Sequence, residues 1–442
     1  MKKLFLFFAA TIAVITGKTQ LVDTTLLHGQ AWCGTSPDMI ALNNDIAYGR
    51  VAAPVNDPNT PIGSFPAAGI VTCGRFKLYF EDFVAAANEG FFDVAQGTTR
   101  QATFCAVVNY AQSVLDMQNL ITTNEYVDVH VLRSYVAGST LPAPAGYSAL
   151  AQAGPLYPAS YSSSGTAGIF NGYAYDHIIT GTDPNTAQYD CIVRVNFDRT
   201  FNPLNSMYTP VSYWNDPAPL NQKCVYDLYT VLLHEVTHCL GWISNINEKA
   251  DFTIQSAHNN DQFTLFDWTF LHFNATNNLS APANFDKLIG GSMGTPFINT
   301  AVSLTPNLIR TNNIWLYNND RPINQPVYSG HYPSLVGGNL LAIGSLLSHL
   351  NEQWMSFTFT ERISPGFSPR YVISPFISFG EQKRTWTFQE IRALALLGYT
   401  LDPAYPNLSI VSSNTPPTFT AGQFTDTPLA GNPDFPEGAM PG

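Results

Sequence analysis

The chain has 442 residues, a length that predicts two or three structural domains. Hydrophobic residues make up 45% of the sequence, enough for a sizeable core, whereas charged residues make up only 12%, about half of the usual share. The formal net charge of -12 argues against nucleic acid and against anionic membranes as partners, because both carry charge of the same sign.

The first residues combine positive charge with an apolar run. Lys2 and Lys3 precede an apolar stretch, residues 4–15, that is too short for a membrane-spanning helix. This combination is typical of a secretory signal peptide, which we expect to be removed near residue 20. No second long apolar stretch follows. We therefore expect a secreted or cell-surface-associated protein without an integral membrane segment after signal removal.

Residues 21–70 are rich in Pro, Asn, Asp and Gly and show little periodicity, which indicates an N-terminal extension or a pro-segment. Cys33 in this segment is one of six cysteines, and an even number in an exported chain permits up to three disulfides. We favour Cys33 as half of a disulfide. The alternative is a latency cysteine, which would occupy the open position of a metal site further along the chain.

Hydrophobic patterns before residue 227 predict a twisted sheet backed by helices, in the order of an α+β unit. His130 shares the polar face of one predicted strand with Asp128, so we expect it at the surface or rim of the sheet. The segment after Gly165 is a candidate for an edge strand that pairs with extended substrate. The predicted elements are strands over Arg75–Phe80, Tyr126–Val136, Gly168–Gly172, His177–Thr180 and Asp190–Phe197, a helix over Arg100–Met117 and an irregular segment over Leu141–Gly165.

The next apolar segment contains His234, Glu235 and His238 in the spacing H-E-x-x-H. Apolar residues on both sides predict a largely buried helix that ends at Gly241, a residue able to adopt the left-handed conformation that closes a helix. The two histidines lie one turn apart on such a helix and can hold one zinc ion at about 2.0–2.1 Å each. Glu235 would lie beside the metal, where its carboxylate can take a proton from a bound water. The alternative is a purely structural role, in which each of these buried polar side chains needs its own partner.

A catalytic zinc ion needs a third protein ligand, and the position that supplies it in the extended motif H-E-x-x-H-x-x-G-x-x-H is Ser244 here. The third ligand must therefore come from elsewhere. We favour His349, because Met355 follows six residues later and can form the turn beneath the metal. The other candidates are His331 as the reserve histidine, the further histidines His258 and His272, and a carboxylate ligand from Asp267 or Glu248.

Near the end of the chain, Thr387 and Glu390 form the pattern of a capping box. It predicts a closing helix that ends at Gly398. From residue 403 onward the chain is rich in Pro, Thr, Asn and Gly, which predicts an irregular tail.

In their order, these motifs resemble those of the leishmanolysin-like metzincins. In that family a long insertion follows the helix motif, and then come a third His in a Ser-His context, a Met-turn and a helix that ends in Leu-Gly-Tyr. The chain departs from the family pattern in a longer gap between His238 and His349, in Trp and Ser on either side of Met355, and in Leu396 where the family has Asp. The matching stretches are His234–Trp242, Ser348–Leu350, Trp354–Ser356 and Leu396–Tyr399, and the agreement in order covers about residues 70–402.

The resemblance implies a zincin fold of the metzincin type: a twisted N-terminal sheet backed by two helices, an active-site helix and an irregular C-terminal subdomain with a closing helix. It also implies Zn²⁺ held by His234, His238 and His349, with Glu235 as the general base and Met355 in the Met-turn. The predicted boundaries are a signal peptide at 1–20, an extension at 21–70, a catalytic domain at 71–402 with subdomains 71–243 and 244–402, and a tail at 403–442.

These patterns together predict a secreted zinc-dependent endopeptidase that hydrolyses protein or peptide substrates as a monomer. One alternative is a zincin with a carboxylate as the third ligand. Another is a non-catalytic zincin-like binding module at the cell surface. Glu235 argues against the binding module, since such a module has no need of a general base.

Overall fold

The computed structural model describes residues 40–41, 62–85, 89–136, 150–158, 160–161, 165–186, 188–202, 207–218, 225–248, 254–256, 261–273, 285–298, 314–318, 321–326, 348, 372–373, 376–377 and 382–402. The predicted signal peptide, most of the N-terminal extension and the tail from residue 403 lie outside the described residues.

A five-stranded mixed sheet, which we call the central sheet, forms the middle of the fold. Its two inner pairings are parallel and its two outer pairings are antiparallel. β-branched and aromatic residues fill most positions of the three inner strands, which is why the sequence predicts them. With its helices, the described chain is a mixed α+β structure. The order across the sheet is Ile70–Cys73, Phe76–Phe80, Val127–Val131, Cys191–Val195 and Ala151–Pro155.

Two helices pack against each other and against the central sheet. The first is Gly97–Val114, and the second is Leu228–Cys239, which we call the motif helix. The predicted helical spacing holds, because Val107 and the other periodic apolar side chains of the first helix are fully buried. A disulfide between Cys73 and Cys105 joins the first helix to the edge of the sheet.

The structure corrects the prediction of an irregular segment over Leu141–Gly165. Ala151–Pro155 is a strand that runs antiparallel to Cys191–Val195 at the edge of the central sheet. Its sequence is Ala-Gln-Ala-Gly-Pro, which lacks the β-branched residues that mark a strand. Ala151 and Ala153 are fully buried. Their small side chains allow the edge strand to approach the motif helix, so tertiary packing overrides local propensity here.

The predicted strands between residues 168 and 180 are only partly present. Gly168–Phe170 is a strand, but it pairs in parallel with Gln262–Thr264 rather than with the central sheet. The predicted strand His177–Thr180 is instead the end of the helix Tyr173–Thr180. The edge strand of the central sheet that contacts the motif helix is therefore Ala151–Pro155, and the opposite edge strand is Ile70–Cys73. The segment after Gly165 forms neither edge.

His130 is fully buried, contrary to the expectation of a surface or rim position. Its ring stacks on Tyr189 at a centroid distance of 4.1 Å, and its Nε2 lies 3.2 Å from a carboxylate oxygen of Glu81. Val127–Val131 is the middle strand of the central sheet, and aromatic side chains cover its polar face. Alternation in the sequence does not distinguish a solvated face from a face that is covered in this way.

The remaining elements surround this core. Short helices are Ile62–Ser64, Ala67–Gly69, Glu81–Ala85, Gly90–Phe92, Gln118–Thr123 and Leu265–Trp268. Short strand pairs are Ile40–Ala41 with Phe376–Ile377, Arg199–Asn202 with Met207–Pro210, Tyr213–Trp214 with Tyr226–Asp227, Ile246–Glu248 with Ile254–Ser256, and Ile289–Ser292 with Thr295–Ile298. A four-stranded sheet has the order Phe285–Lys287, Phe270–Phe273, Ile314–Asn318 and Arg321–Pro326.

The closing helix, Phe388–Leu396, begins at the predicted capping box of Thr387 and Glu390. It ends before Gly398, whose φ of +103° is in the left-handed region that glycine tolerates. Leu394 of this helix belongs to the same buried cluster as the apolar side chains of the central sheet. Residues of both predicted subdomains therefore share one hydrophobic core. None of the helices in the described part of the chain is long and apolar enough to cross a membrane.

Candidate metal centre

The motif helix runs from Leu228 to Cys239 and is buried along its whole length. Asp227 caps its N-terminus, because the Asp227 carboxylate accepts a hydrogen bond from the backbone nitrogen of Thr230. Beyond its C-terminus, Gly241 adopts a left-handed φ of +91°. The C-terminal end agrees with the prediction.

His234 and His238 face each other across one turn of the motif helix. Their Nε2 atoms lie 3.0 Å apart, and both residues are fully buried. Two nitrogens bound to one tetrahedral zinc ion lie roughly 3.3 Å apart, because each Zn–N bond is about 2.0–2.1 Å long. The spacing of the two side chains therefore fits a shared metal ion.

The other nitrogen of each ring is held by a backbone carbonyl. His234 Nδ1 donates to the oxygen of Val372 at 2.8 Å, and His238 Nδ1 donates to the oxygen of Trp242 at 2.7 Å. A carbonyl oxygen can only accept, so each Nδ1 carries the ring proton and each Nε2 presents a lone pair to the other. Two facing lone pairs repel unless a cation or a proton lies between them. Metal-binding histidines are oriented in this way by a hydrogen bond on their second nitrogen.

The protonation of His238 favours a metal ion over a shared proton. Burial lowers the pKa of His238 to about 4, and the hydrogen bond to Trp242 offsets only part of this shift. The ring is therefore neutral at neutral pH, which is the form that binds a metal.

Glu235, the middle residue of the motif, is fully buried. Tyr213 lies near it, since burial and then the negative charge of Glu235 raise the pKa of the Tyr213 phenol. The Tyr213 hydroxyl donates to the backbone oxygen of Leu150 at 3.1 Å, directly before the edge strand of the central sheet. A carboxylate that adjoins two metal-binding histidines is placed to act as a general base.

A buried carboxylate of the closing helix supports His234 from a distance. Glu390 Oε1 accepts a hydrogen bond from the backbone nitrogen of Ile373 at 2.7 Å, and Oε2 accepts one from Thr387 at 2.8 Å. Ile373 directly follows Val372, whose carbonyl holds the His234 ring. Glu390 therefore positions the carbonyl that orients the first histidine. The capping-box pattern predicts Glu390 as a helix cap, but the sequence contains no signal for this second role.

An ion pair fastens the N-terminus of the motif helix to the segment before the closing helix. Arg384 contacts both carboxylate oxygens of Asp227, at 2.6 Å from Nη2 and 3.0 Å from Nε. The backbone nitrogen of Lys383 donates to the hydroxyl of Thr230 at 2.7 Å. The N-terminus of the motif helix is thus tied to a segment about 150 residues later in the chain.

Two more hydrogen bonds brace the C-terminal half of the motif helix. Trp386 Nε1 donates to the hydroxyl oxygen of Thr237 at 2.8 Å. The hydroxyl of Tyr399 donates to the backbone oxygen of Leu240 at 2.9 Å. Tyr399 ends the Leu-Gly-Tyr stretch, so this part of the sequence supports the helix that carries the histidines.

Several predicted site residues lie outside the described residues. They are the favoured third ligand His349, the Met-turn residue Met355, the latency candidate Cys33, and the further histidines His258 and His331. The same holds for the side chains of His272 and Glu248. The structure therefore brings together His234, Glu235 and His238 and does not address the other members of the predicted site.

Ser348, which directly precedes His349, is described and fully buried. Its hydroxyl oxygen accepts a hydrogen bond from the backbone nitrogen of Ser244 at 2.9 Å. Ser244 lies just beyond the motif helix and stands at the third-ligand position of the extended motif. The chain thus passes the C-terminal end of the motif helix one residue before His349.

Asp267, a predicted alternative ligand, takes part in a structural network instead. Its carboxylate accepts hydrogen bonds from the Ser244 hydroxyl at 2.6 Å and from the backbone nitrogens of Asn245 and Thr264, each at 2.9 Å. Burial raises the pKa of Asp267 to about 6 against the lowering effect of these hydrogen bonds. The carboxylate holds the loop after the motif helix, which argues against Asp267 as the third metal ligand.

Of the cysteines in the described core, two form a disulfide and two are free thiols. Cys73 and Cys105 form a disulfide, which is one of the three that the sequence permits. Among the described residues, Cys191 and Cys239 are buried free thiols, and Cys239 lies within the motif helix as a small buried side chain.

Comparison of the chain with models of known protein families, with curated proteins and with solved structures found no match.

Proposed function

We propose that this chain is an exported zinc-dependent endopeptidase of the metzincin type. One observation carries the proposal. The Nε2 atoms of His234 and His238 meet at 3.0 Å, while a carbonyl holds each Nδ1. Two imidazoles held in this way can supply two of the ligands of a zinc ion. Glu235, between the two histidines in the sequence, adds the base that hydrolysis requires.

Each residue of the site has its own role in peptide hydrolysis. His234 and His238 would hold a zinc ion together with a third ligand, for which we propose His349. When bound, zinc supplies a Lewis acid that acidifies water and stabilises negative charge on the substrate carbonyl. Glu235 removes a proton from the attacking water and delivers it to the leaving amine. Val372 and Trp242 keep both imidazoles in the required tautomer.

The arrangement of the central sheet supports the metzincin type of fold. The antiparallel edge strand Ala151–Pro155 contacts the motif helix, so an extended peptide paired along its outer side would run close to the two histidines. The hydrogen bond between Ser348 and Ser244 supports His349, because it brings the chain to the end of the motif helix.

The test is cleavage of an unfolded protein by the purified chain. We expect the parent to cleave the substrate, a zinc chelator to stop the reaction and added Zn²⁺ to restore it. Glu235→Gln should bind zinc like the parent and lower turnover by about 10²–10⁴-fold, since it removes only the base. Glu125→Gln, which changes the charge equally at an exposed position, should keep full activity.

Two results would count against the proposal. Parental turnover in Glu235→Gln would show that Glu235 is not the base. Zinc binding without cleavage by the parent would favour the alternative of a zincin-like binding module.

A further inference from the structure

A second group of metal-binding residue types lies outside the motif helix, at the end of the helix Tyr173–Thr180. It consists of His177, Asp183 and Asp190, each of which offers one ligand atom within 4.8 Å of the other two. His177 lies in the last turn of the helix, Asp183 in the following connection, and Asp190 directly before the strand Cys191–Val195 of the central sheet. The three side chains therefore come from three consecutive segments of the fold.

The hydrogen bonds inside this group use only some of its buried polar atoms. His177 Nδ1 lies 2.9 Å from Asp190 Oδ2, which also accepts from the backbone nitrogen of Asp128 at 2.8 Å. His177 Nε2 and Asp190 Oδ1 are buried, and neither has a hydrogen-bond partner in the described part of the chain. Both side chains are only 1% exposed. Buried polar atoms without partners are costly, so two of them in one cluster point to a missing ligand.

The charge of the cluster indicates the sign of that ligand. The carboxylates of Asp128, Asp183 and Asp190 all lie near enough to act electrostatically on the His177 ring. Asp190 is fully buried and Asp183 is half-buried. Burial raises the pKa of Asp190 and brings that of Asp128 to about 7, so keeping these carboxylates ionised beside one imidazole needs a compensating positive charge, which a bound cation would supply.

The Asp183 carboxylate stabilises the turn that follows it in the chain. Asp183 Oδ1 accepts from the backbone nitrogens of Asn185 and Thr186, each at 2.8 Å. This turn holds the carboxylate next to the buried pair, at a half-buried position that solvent and ions can reach.

We propose that His177, Asp183 and Asp190 form a second metal site, which binds a divalent cation of the zinc or manganese class. One imidazole and two carboxylates are ligands that suit Zn²⁺ or Mn²⁺, whereas Ca²⁺ takes oxygen ligands only. The site joins the end of the helix, the connection and the start of the strand, so the metal stabilises this side of the central sheet. It is separate from the motif helix and does not depend on peptidase activity.

The experiment is metal analysis of the purified full chain after equilibration with Zn²⁺ or, separately, Mn²⁺. Asp183→Asn keeps an oxygen that can accept from Asn185 and Thr186 but removes the ligand charge. We expect Asp183→Asn to bind one equivalent fewer than the parent. Asp176→Asn, which changes an acid of the same helix outside the cluster, should bind as many equivalents as the parent. Circular dichroism should show that both variants are folded.

A second readout separates this site from the proposed catalytic site. In the background of His238→Ala, added Zn²⁺ should raise the melting temperature, and Asp183→Asn should abolish that rise. Equal metal content in Asp183→Asn and the parent, with no loss of the zinc-dependent rise, would overturn the second site and leave the buried pair as a structural hydrogen bond. If the proposed catalytic site is wrong, His238→Ala should instead contain as much metal as the parent.

Discussion

At the scale of single residues, both motif histidines depend on backbone carbonyls that the motif itself does not reveal. The carbonyl for His238 comes from Trp242, only four residues later, and one turn of chain suffices to place it. The carbonyl for His234 comes from Val372, 138 residues away. The pattern H-E-x-x-H predicts the two ligands and the base, because helical spacing alone sets their mutual position. It cannot predict Val372, since that contact depends on how distant segments pack.

Glu390 provides a test of this long-range support. Glu390→Gln should weaken zinc binding by about 10–100-fold, the usual effect of losing a residue that orients a metal ligand. Glutamine keeps the capping box, which accepts Gln at this position. It has only one acceptor oxygen, however, so it cannot serve both Ile373 and Thr387. The measurement is a zinc titration against a competing chelator.

Asp82→Asn is the matched control for Glu390→Gln. Asp82 is also a fully buried carboxylate, and it accepts hydrogen bonds from Phe91 and Ser134, which lie outside the motif helix. We expect Asp82→Asn to lower thermal stability without changing zinc affinity. If Glu390→Gln bound zinc as tightly as the parent, Glu390 would not position His234.

At the scale of elements, the motif helix is held at both ends by the last described segment, residues 382–402. Arg384 pairs with Asp227 at one end, and Tyr399 donates to Leu240 at the other. The sequence predicts the C-terminal end of the motif helix and both ends of the closing helix, because Thr387, Gly241 and Gly398 are local signals. It does not predict that the two helices are joined, because no local pattern encodes the pairing of Arg384 with a residue 157 positions earlier.

Arg384→Ala tests this ion pair. The substitution leaves the buried carboxylate of Asp227 without its cation, so we expect the free energy of unfolding to fall by about 3 kcal/mol. Arg75→Ala, which removes an arginine with a long contact to Asn124 at 3.4 Å, should cost much less. Chemical denaturation of the two variants gives the comparison. Equal stabilities would show that the pair does not hold the helix.

At the scale of the whole molecule, buried acids make stability depend on pH. Burial raises the pKa of Asp82 and Asp267 to about 6 and that of Glu390 and Asp128 to about 7. A carboxyl group whose pKa is raised on folding stabilises the fold below its unfolded pKa, and this stability is lost as the pH rises through the folded pKa. His238, whose pKa is lowered to about 4, has the opposite effect, but only below about pH 6.5.

The chain should therefore be more stable at pH 6.5 than at pH 8. The expected gain is on the order of 1–2 kcal/mol, mostly from Glu390 and Asp128, which corresponds to a rise in melting temperature of roughly 1–3 °C. Scanning calorimetry at the two pH values measures it, and Glu390→Gln should remove a large part of the difference and leave the part that comes from Asp128. A melting temperature that rises toward pH 8 would contradict the assigned protonation of these acids.

The fold as a whole was predictable where hydrophobic patterns are strong and local. The three inner strands of the central sheet, the helix Gly97–Val114 and the closing helix follow directly from such patterns. The edge strand Ala151–Pro155 was not predictable, because alanine and glycine give no strand signal and its place is set by packing on the motif helix. His177–Thr180, the end of the helix Tyr173–Thr180, was wrongly predicted as a strand, because its apolar run is too short to distinguish the two periods.

The zinc content of the purified chain shows whether His234 and His238 hold a metal ion. It is measured by elemental analysis on the parent and on His234→Ala, His238→Ala and His349→Ala. We expect His234→Ala and His238→Ala each to retain one zinc ion fewer than the parent. His349→Ala should show the same loss if His349 is the third ligand. Equal zinc content in the parent, His234→Ala and His238→Ala would contradict the account, because the paired histidines would then hold no metal.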